Sequence, residues 1–143
     1  MRVLLDTCVL SELQKPHCAE PVREFVRALS EKDIFVSAIS IGEIAKGISL
    51  LDEGARKRGL LQWLNGLTDG YGDNIVSVDK EVSLIWGEIT ANAQRRGLQI
   101  PAGDGLIAAC ALHQGLHIVT RNVKDFEPTG ALIINPWDDG RNA

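Results

Sequence analysis

Residues 101–126 read PAGDGLIAACALHQGLHIVTRNVKDF, and this stretch decides the fold. Leu106 to Leu112 is a small, apolar run at helical length, with Asp104 placed as an N-cap before it and Gly115 closing it. His117-Ile118-Val119-Thr120 then reads as a short buried strand, after which the chain turns polar at once with Arg121, Asn122, Lys124 and Asp125. Helix and strand together form one αβ unit. Ligands of open α/β sheets sit outside the carboxyl ends of the strands. The unit therefore delivers polar groups to that edge twice, from a helix start and from a strand end.

Outward from this unit the same alternation repeats. Val3-Leu4-Leu5 is a continuous apolar run ending in Asp6, as expected of a central parallel strand covered on both faces. Ile34-Phe35-Val36, Ile75 to Val78 and Leu132-Ile133-Ile134 are further short strands. The spacing of apolar residues predicts helices over 9–14, 20–30, from a cap at Ser37 or Ser40 to about Asp52, over 60–67, and from an Asp79 cap to about Arg96. Residues 53–58 (EGARKR) read as a polar, basic junction and 68–74 (TDGYGDN) as a dense turn. There is no repeat, low-complexity segment or linker. The expectation is a single α/β domain over 1–143, with a central parallel sheet of about five strands and helices on both faces.

The chain has 143 residues, 45% of them hydrophobic, enough for one proper core. A net charge of −4 argues against a basic protein that coats nucleic acid, but not against an enzyme acting on it. Three cysteines, Cys8, Cys18 and Cys110, contain no CxxC pair and read as free thiols of a reducing compartment. The start, MRVLLDTCVLSEL, is no signal peptide, and no run approaches the ~18 apolar residues of a membrane span. A cytoplasmic protein without membrane association is expected.

Four acidic residues fall at strand ends or in apolar helices: Asp6, Glu43, Asp104 and Asp125. Each alone has a plain structural role, as a helix cap (Asp6, Asp104), an i,i+3 partner of Lys46 (Glu43) or a turn residue (Asp125). Together they point to one crevice at the carboxyl edge. Carboxylates held that close repel one another unless a cation compensates. Oxygen ligands without His or Cys favour Mg²⁺ or Mn²⁺, whose chemistry on a phosphoryl oxygen is that of a phosphodiesterase.

Other chemistries fit less well. His113 and His117 are separated by the helix-ending Gly115 and share no face, and there is no GxSxG, Walker A or GxGxxG motif. Cys8 shows no activating base and reads as a structural thiol. It also stands where a haloacid-dehalogenase-type phosphatase needs its second Asp, and a receiver domain needs an acidic pair where this chain has Asp6 alone.

VLLDTCVLSEL with Asp6, SAISIGEIAKGI with Glu43, the 101–126 stretch with Asp104, and Asn135-Pro136-Trp137 resemble, in order and spacing, a PIN domain of the VapC/FitB toxin type. The resemblance covers nearly the whole chain. It implies a metal-dependent endoribonuclease, usually a homodimer, restrained by a cognate antitoxin whose other domain binds operator DNA. Position by position, Asp6, Glu43 and Asp104 match the acidic metal-binding residues and Thr120 the polar residue ending the fourth strand, with Thr7 and Asn122 as supporting polar groups. The family's Asn or Ser is here Cys8, and its fourth acid is here Asn122, which leaves Asp125 as the alternative fourth carboxylate. These two departures keep a second reading open, a catalytically weak PIN fold acting mainly as partner in an antitoxin/DNA-binding complex. Lys46, Arg121 and Lys124 form an expected RNA-facing rim.

Overall fold

The computed structural model describes residues 1–138; the polar tail, 139–143, lies outside the described residues. In chain order the elements are β1 (Val3–Leu5), α1 (Thr7–Leu13), α2 (Glu20–Arg27), β2 (Ile34–Ser37), α3 (Ala38–Ser49), α4 (Ala55–Tyr71), β3 (Ile75–Val76), α5 (Lys80–Arg95), α6 (Ala102–Gln114), β4 (His117–Val119), α7 (Val123–Phe126) and β5 (Ile133–Ile134). The strands form one parallel sheet in the order β3-β2-β1-β4-β5. The α/β reading and its five strands hold.

Alternation along each strand divides the core into two layers. Val3, Leu5, Ile34, Val36 and Val119 face one side, where Val9, Leu10, Val22, Ile44, Ile48 and Leu64 of α1 to α4 cover them. Leu4, Phe35 and Ile118 face the other, under Val82 of α5, the Ile107–Ala111 run of α6 and the fully buried Phe126. A period of two in the strands, not composition, decides which helix each residue meets. Small residues let α6 approach: a Cβ added at Gly105 would sit 3.1 Å from the Trp86 ring of α5. No helix among the described residues is long and apolar enough to cross a membrane.

Several boundaries differ from expectation. The first helix starts at Thr7 rather than Val9, because Asp6 keeps an extended backbone and its side chain accepts from the Thr7 N–H. Helix α2 stops at Arg27, short of Ser30. Of the two serines, Ser37 caps α3, accepting from the Ile39 N–H at 3.0 Å. Helix α4 takes in most of the supposed basic junction and the start of the supposed turn, running from Ala55 to Tyr71. Arg and Lys are good helix formers, and Leu60, Trp63, Leu64, Leu67 and Tyr71 make a stripe that packs on the core. That packing carries the helix through Gly66 and Gly70 until Gly72, at φ 46°, ends it. Strand β3 is only two residues long, because pairing with β2 ends where Ser37 leaves for α3. Asp104 is not an N-cap: Pro101 takes that position, and Asp104 falls in the first turn of α6.

Candidate active site

The register of the central strands builds the site. Leu5 pairs with Val36 on one side and Val119 on the other, so the next residues, Asp6, Ser37 and Thr120, emerge side by side at the carboxyl edge. The chain leaves β1 for helices on one face and enters β4 from the other face, which makes the gap between β1 and β4 the switch point where such sheets bind ligands.

Asp6 is the best-held member, only 3% exposed. Its Oδ1 accepts from the Thr7 N–H at 2.8 Å; its Oδ2 accepts from the Thr120 hydroxyl at 2.7 Å and from the Cys8 thiol at 3.5 Å. Thr120 is itself fixed, its Oγ1 accepting from the Asn122 N–H at 3.0 Å. Burial pushes the Asp6 carboxyl up, its three hydrogen bonds pull it back, and the Glu43 charge pushes it up again, leaving it above the ordinary value. Burial also pushes the Cys8 thiol up, so it sits there as a neutral donor.

Glu43 stands on α3, two turns after the Ser37 cap. Its Oε1 accepts from the Thr7 hydroxyl at 2.7 Å, and that hydroxyl lies 2.9 Å from Ser40 Oγ. Its Oε2 lies against the first turn of α6, where a Cβ on Gly103 would come within 3.1 Å. The i,i+3 pair with Lys46 does not form. Asp104, one residue beyond Gly103, is pushed up to about 6, by burial first and then by the charges of Asp6, Asp125 and Glu43. Asp125 is exposed on α7 and lines a groove of about 600 Å³ with Thr90, Gln94, Leu98, Gln99, Ile100 and Pro101. It reaches Asp104 through its field and sits at the margin of the group. Asn122 is exposed and holds Thr120 through its backbone.

None of the four ion pairs among the described residues uses any of these carboxylates. An all-oxygen donor set under mutual repulsion has the chemistry of a hard-cation site. Among the described residues, no three His, Cys, Asp or Glu side chains are grouped closely enough to enclose an ion as they stand. The donors therefore fit Mg²⁺ or Mn²⁺ in kind, with their carboxylates not drawn together.

The chain is similar to known proteins over nearly its whole length. A PIN domain profile matches residues 3–130. Toxin FitB of Neisseria gonorrhoeae is 33% identical over 138 residues, covering 96% of this chain and 99% of FitB. The chain belongs to the PIN-domain family, and within it to the VapC/FitB toxin type. The VapC ribonuclease Y4jK of Sinorhizobium fredii is 31% identical over 137 residues, 95% of this chain and 98% of that protein. The solved structure of FitAB bound to an IR36 DNA fragment superposes with a TM-score of 0.88 at 32% identity, covering 94% of this chain and 95% of that one.

One residue beside the carboxylates was missed by the sequence reading and another was read only in part. Ser40 was read only as a possible cap, although its place three residues before Glu43 sets both on one face of α3. Cys8 was read as a structural thiol that replaces the family's Asn or Ser, whereas its Sγ lies 3.5 Å from both Asp6 Oδ2 and Thr120 Oγ1 and still donates to the carboxylate. Its position two residues after Asp6 was the available signal.

Proposed function

We propose that this PIN domain is a Mg²⁺- or Mn²⁺-dependent endoribonuclease that hydrolyses RNA phosphodiester bonds, and that it is the toxin of a type II toxin–antitoxin pair. The observation that supports the reading is that Asp104 is pushed up to about 6 by burial and by the charges of Asp6, Asp125 and Glu43, while none of these carboxylates takes part in an ion pair among the described residues. Asp6, Glu43 and Asp104 would hold the ion, with Asp125 at the margin as the fourth acid. A bound ion supplies Lewis acidity to the phosphoryl oxygen and acidity to water. Thr120, Thr7 and Cys8 fix the Asp6 carboxylate, Thr7 orients Glu43, and the Asn122 backbone fixes Thr120. Lys46, Arg121 and Lys124 are all exposed and offset the acidic centre for an approaching polyanion.

The partner is a small antitoxin that places an arginine among the carboxylates, since a bidentate Arg–carboxylate contact suits a site built for a cation. It binds operator DNA on the pair's behalf, as FitAB, a complex of the similar FitB, is seen bound to DNA. The working form is a cytoplasmic homodimer, as the family resemblance implies. A groove of about 260 Å³ beside Thr7 and Glu43, floored by Ile44, Leu60 and Trp63 with Arg56 on its wall, offers apolar surface next to the acids.

A second reading, a catalytically weak partner in a DNA-binding complex, draws on the thiol of Cys8 beside Asp6 and the uncharged Asn122. Expression in cells separates the two. The ribonuclease reading expects growth arrest without antitoxin and a defined set of new RNA ends on sequencing, both absent with Asp6→Asn. Unchanged RNA ends under full expression contradict it.

A further inference from the structure

The C-terminal turn carries a contact that the carboxylates do not explain. Arg121 follows Thr120, whose hydroxyl bonds Asp6, and its backbone lies against the Cys8 thiol. Its guanidinium is laid over the Trp137 ring, Cζ 5.1 Å from the centroid. Trp137 is fixed from its own side: its N–H donates to Asn135 Oδ1 at 3.0 Å, and its ring packs against the core layer of α1 to α4. The buried Glu12 of α1 feels the positive charge of Arg121 but already accepts from the Ala19 N–H at 2.9 Å and from Lys15. Arg121 takes part in none of the ion pairs among the described residues and is exposed.

An arginine held over an indole by cation–π attraction loses less freedom when its guanidinium meets a phosphate bidentately. Lys46 and Lys124 are point charges on flexible stems and have no aromatic partner of this kind among the described residues. The acidic centre repels RNA, so a strand held there needs a fixed cation beside it. We propose that Arg121, held over the Trp137 ring, grips a backbone phosphate of the RNA strand at the acidic centre, with Trp137 as its positioning residue. This inference rests on the ribonuclease reading.

The test measures binding of a fluorescent single-stranded RNA by anisotropy in EDTA, over a range of KCl concentrations, alongside cleavage of the same RNA in Mn²⁺. For Arg121→Ala the slope of log affinity against log salt should shrink by about 0.7, the loss of one phosphate contact on a single strand. Arg121→Lys should restore the slope but not the full affinity. Trp137→Phe should bind more tightly than Trp137→Leu, because only an aromatic face holds the cation; equal affinity for these two removes the positioning role. If the intact chain cleaves RNA but Arg121→Ala, still folded by circular dichroism, keeps the salt slope, the proposal fails and the ribonuclease reading survives. If the intact chain cleaves the RNA in Mn²⁺ but binds none in EDTA at any salt, the phosphate grip fails; if it neither binds nor cleaves, both fail.

Discussion

Replacing Asp104 with Asn is expected to make the metal-free protein more stable at neutral pH, by an amount that vanishes in acid. In the folded chain burial and the charges of Asp6, Asp125 and Glu43 lift Asp104 from 3.8 to about 6. The folded state then binds that proton more tightly than the unfolded chain does. Stability is undiminished below about pH 3.8 and falls as pH rises through the window, with the whole cost present above about pH 6. A shift of about two pKa units is worth about 3 kcal/mol at most, and solvent screening of this partly exposed group reduces it to about 1 kcal/mol. Urea unfolding of both proteins in EDTA gives the comparison. Asp104→Asn should lead by about 1 kcal/mol at pH 7.5, and the lead should close toward pH 4. A destabilised variant at pH 7.5, or a difference that does not change with pH, refutes the claim that repulsion dominates this residue.

Three further outcomes follow from the same contacts. Thr120→Val strips Asp6 Oδ2 and the Asn122 N–H of a buried partner and should cost about 1–3 kcal/mol by urea unfolding, with Thr120→Ser close to wild type. Phe126→Ala empties a fully buried position under α6 and should cost about 3–5 kcal/mol, enough to broaden or abolish the cooperative thermal transition. In calorimetric Mn²⁺ titrations Asn122→Asp should tighten binding by adding a charge at the rim, whereas Asp125→Ala should weaken it only modestly; an unchanged affinity in Asp125→Ala removes that residue from the site.

The parts of this PIN domain that could be read from sequence are those set by local pattern. Val3-Leu4-Leu5 and His117 to Val119 announced themselves as buried strands, and the polar residues directly after them, Asp6 and Thr120, marked the carboxyl edge. The extent of α4 was not legible, because the stripe from Leu60 to Tyr71 that holds it shows only against the core, while the Gly and Asp of 68–74 read locally as a turn. Asp104 looked like a cap because Asp usually is one, yet the turn begins three residues earlier at Pro101. The contact of Thr7 with Glu43, from residues 36 apart, and that of Arg121 with Trp137 exist only once strands and helices are assembled. No local signal encodes such pairings.

The central claim is that the carboxylates of Asp6, Glu43 and Asp104 cut RNA with a hard divalent ion. Its most direct test is cleavage of an end-labelled single-stranded RNA by the purified chain in Mn²⁺, in EDTA, and with Asp6→Asn, which keeps the oxygen that caps α1 and so the fold. The account predicts cleavage in Mn²⁺, none in EDTA, and a loss of at least about a hundredfold for Asp6→Asn, the ~3 kcal/mol scale of metal-assisted charge stabilisation. Cleavage that persists in EDTA, or equally fast cleavage by a folded Asp6→Asn protein, would contradict it.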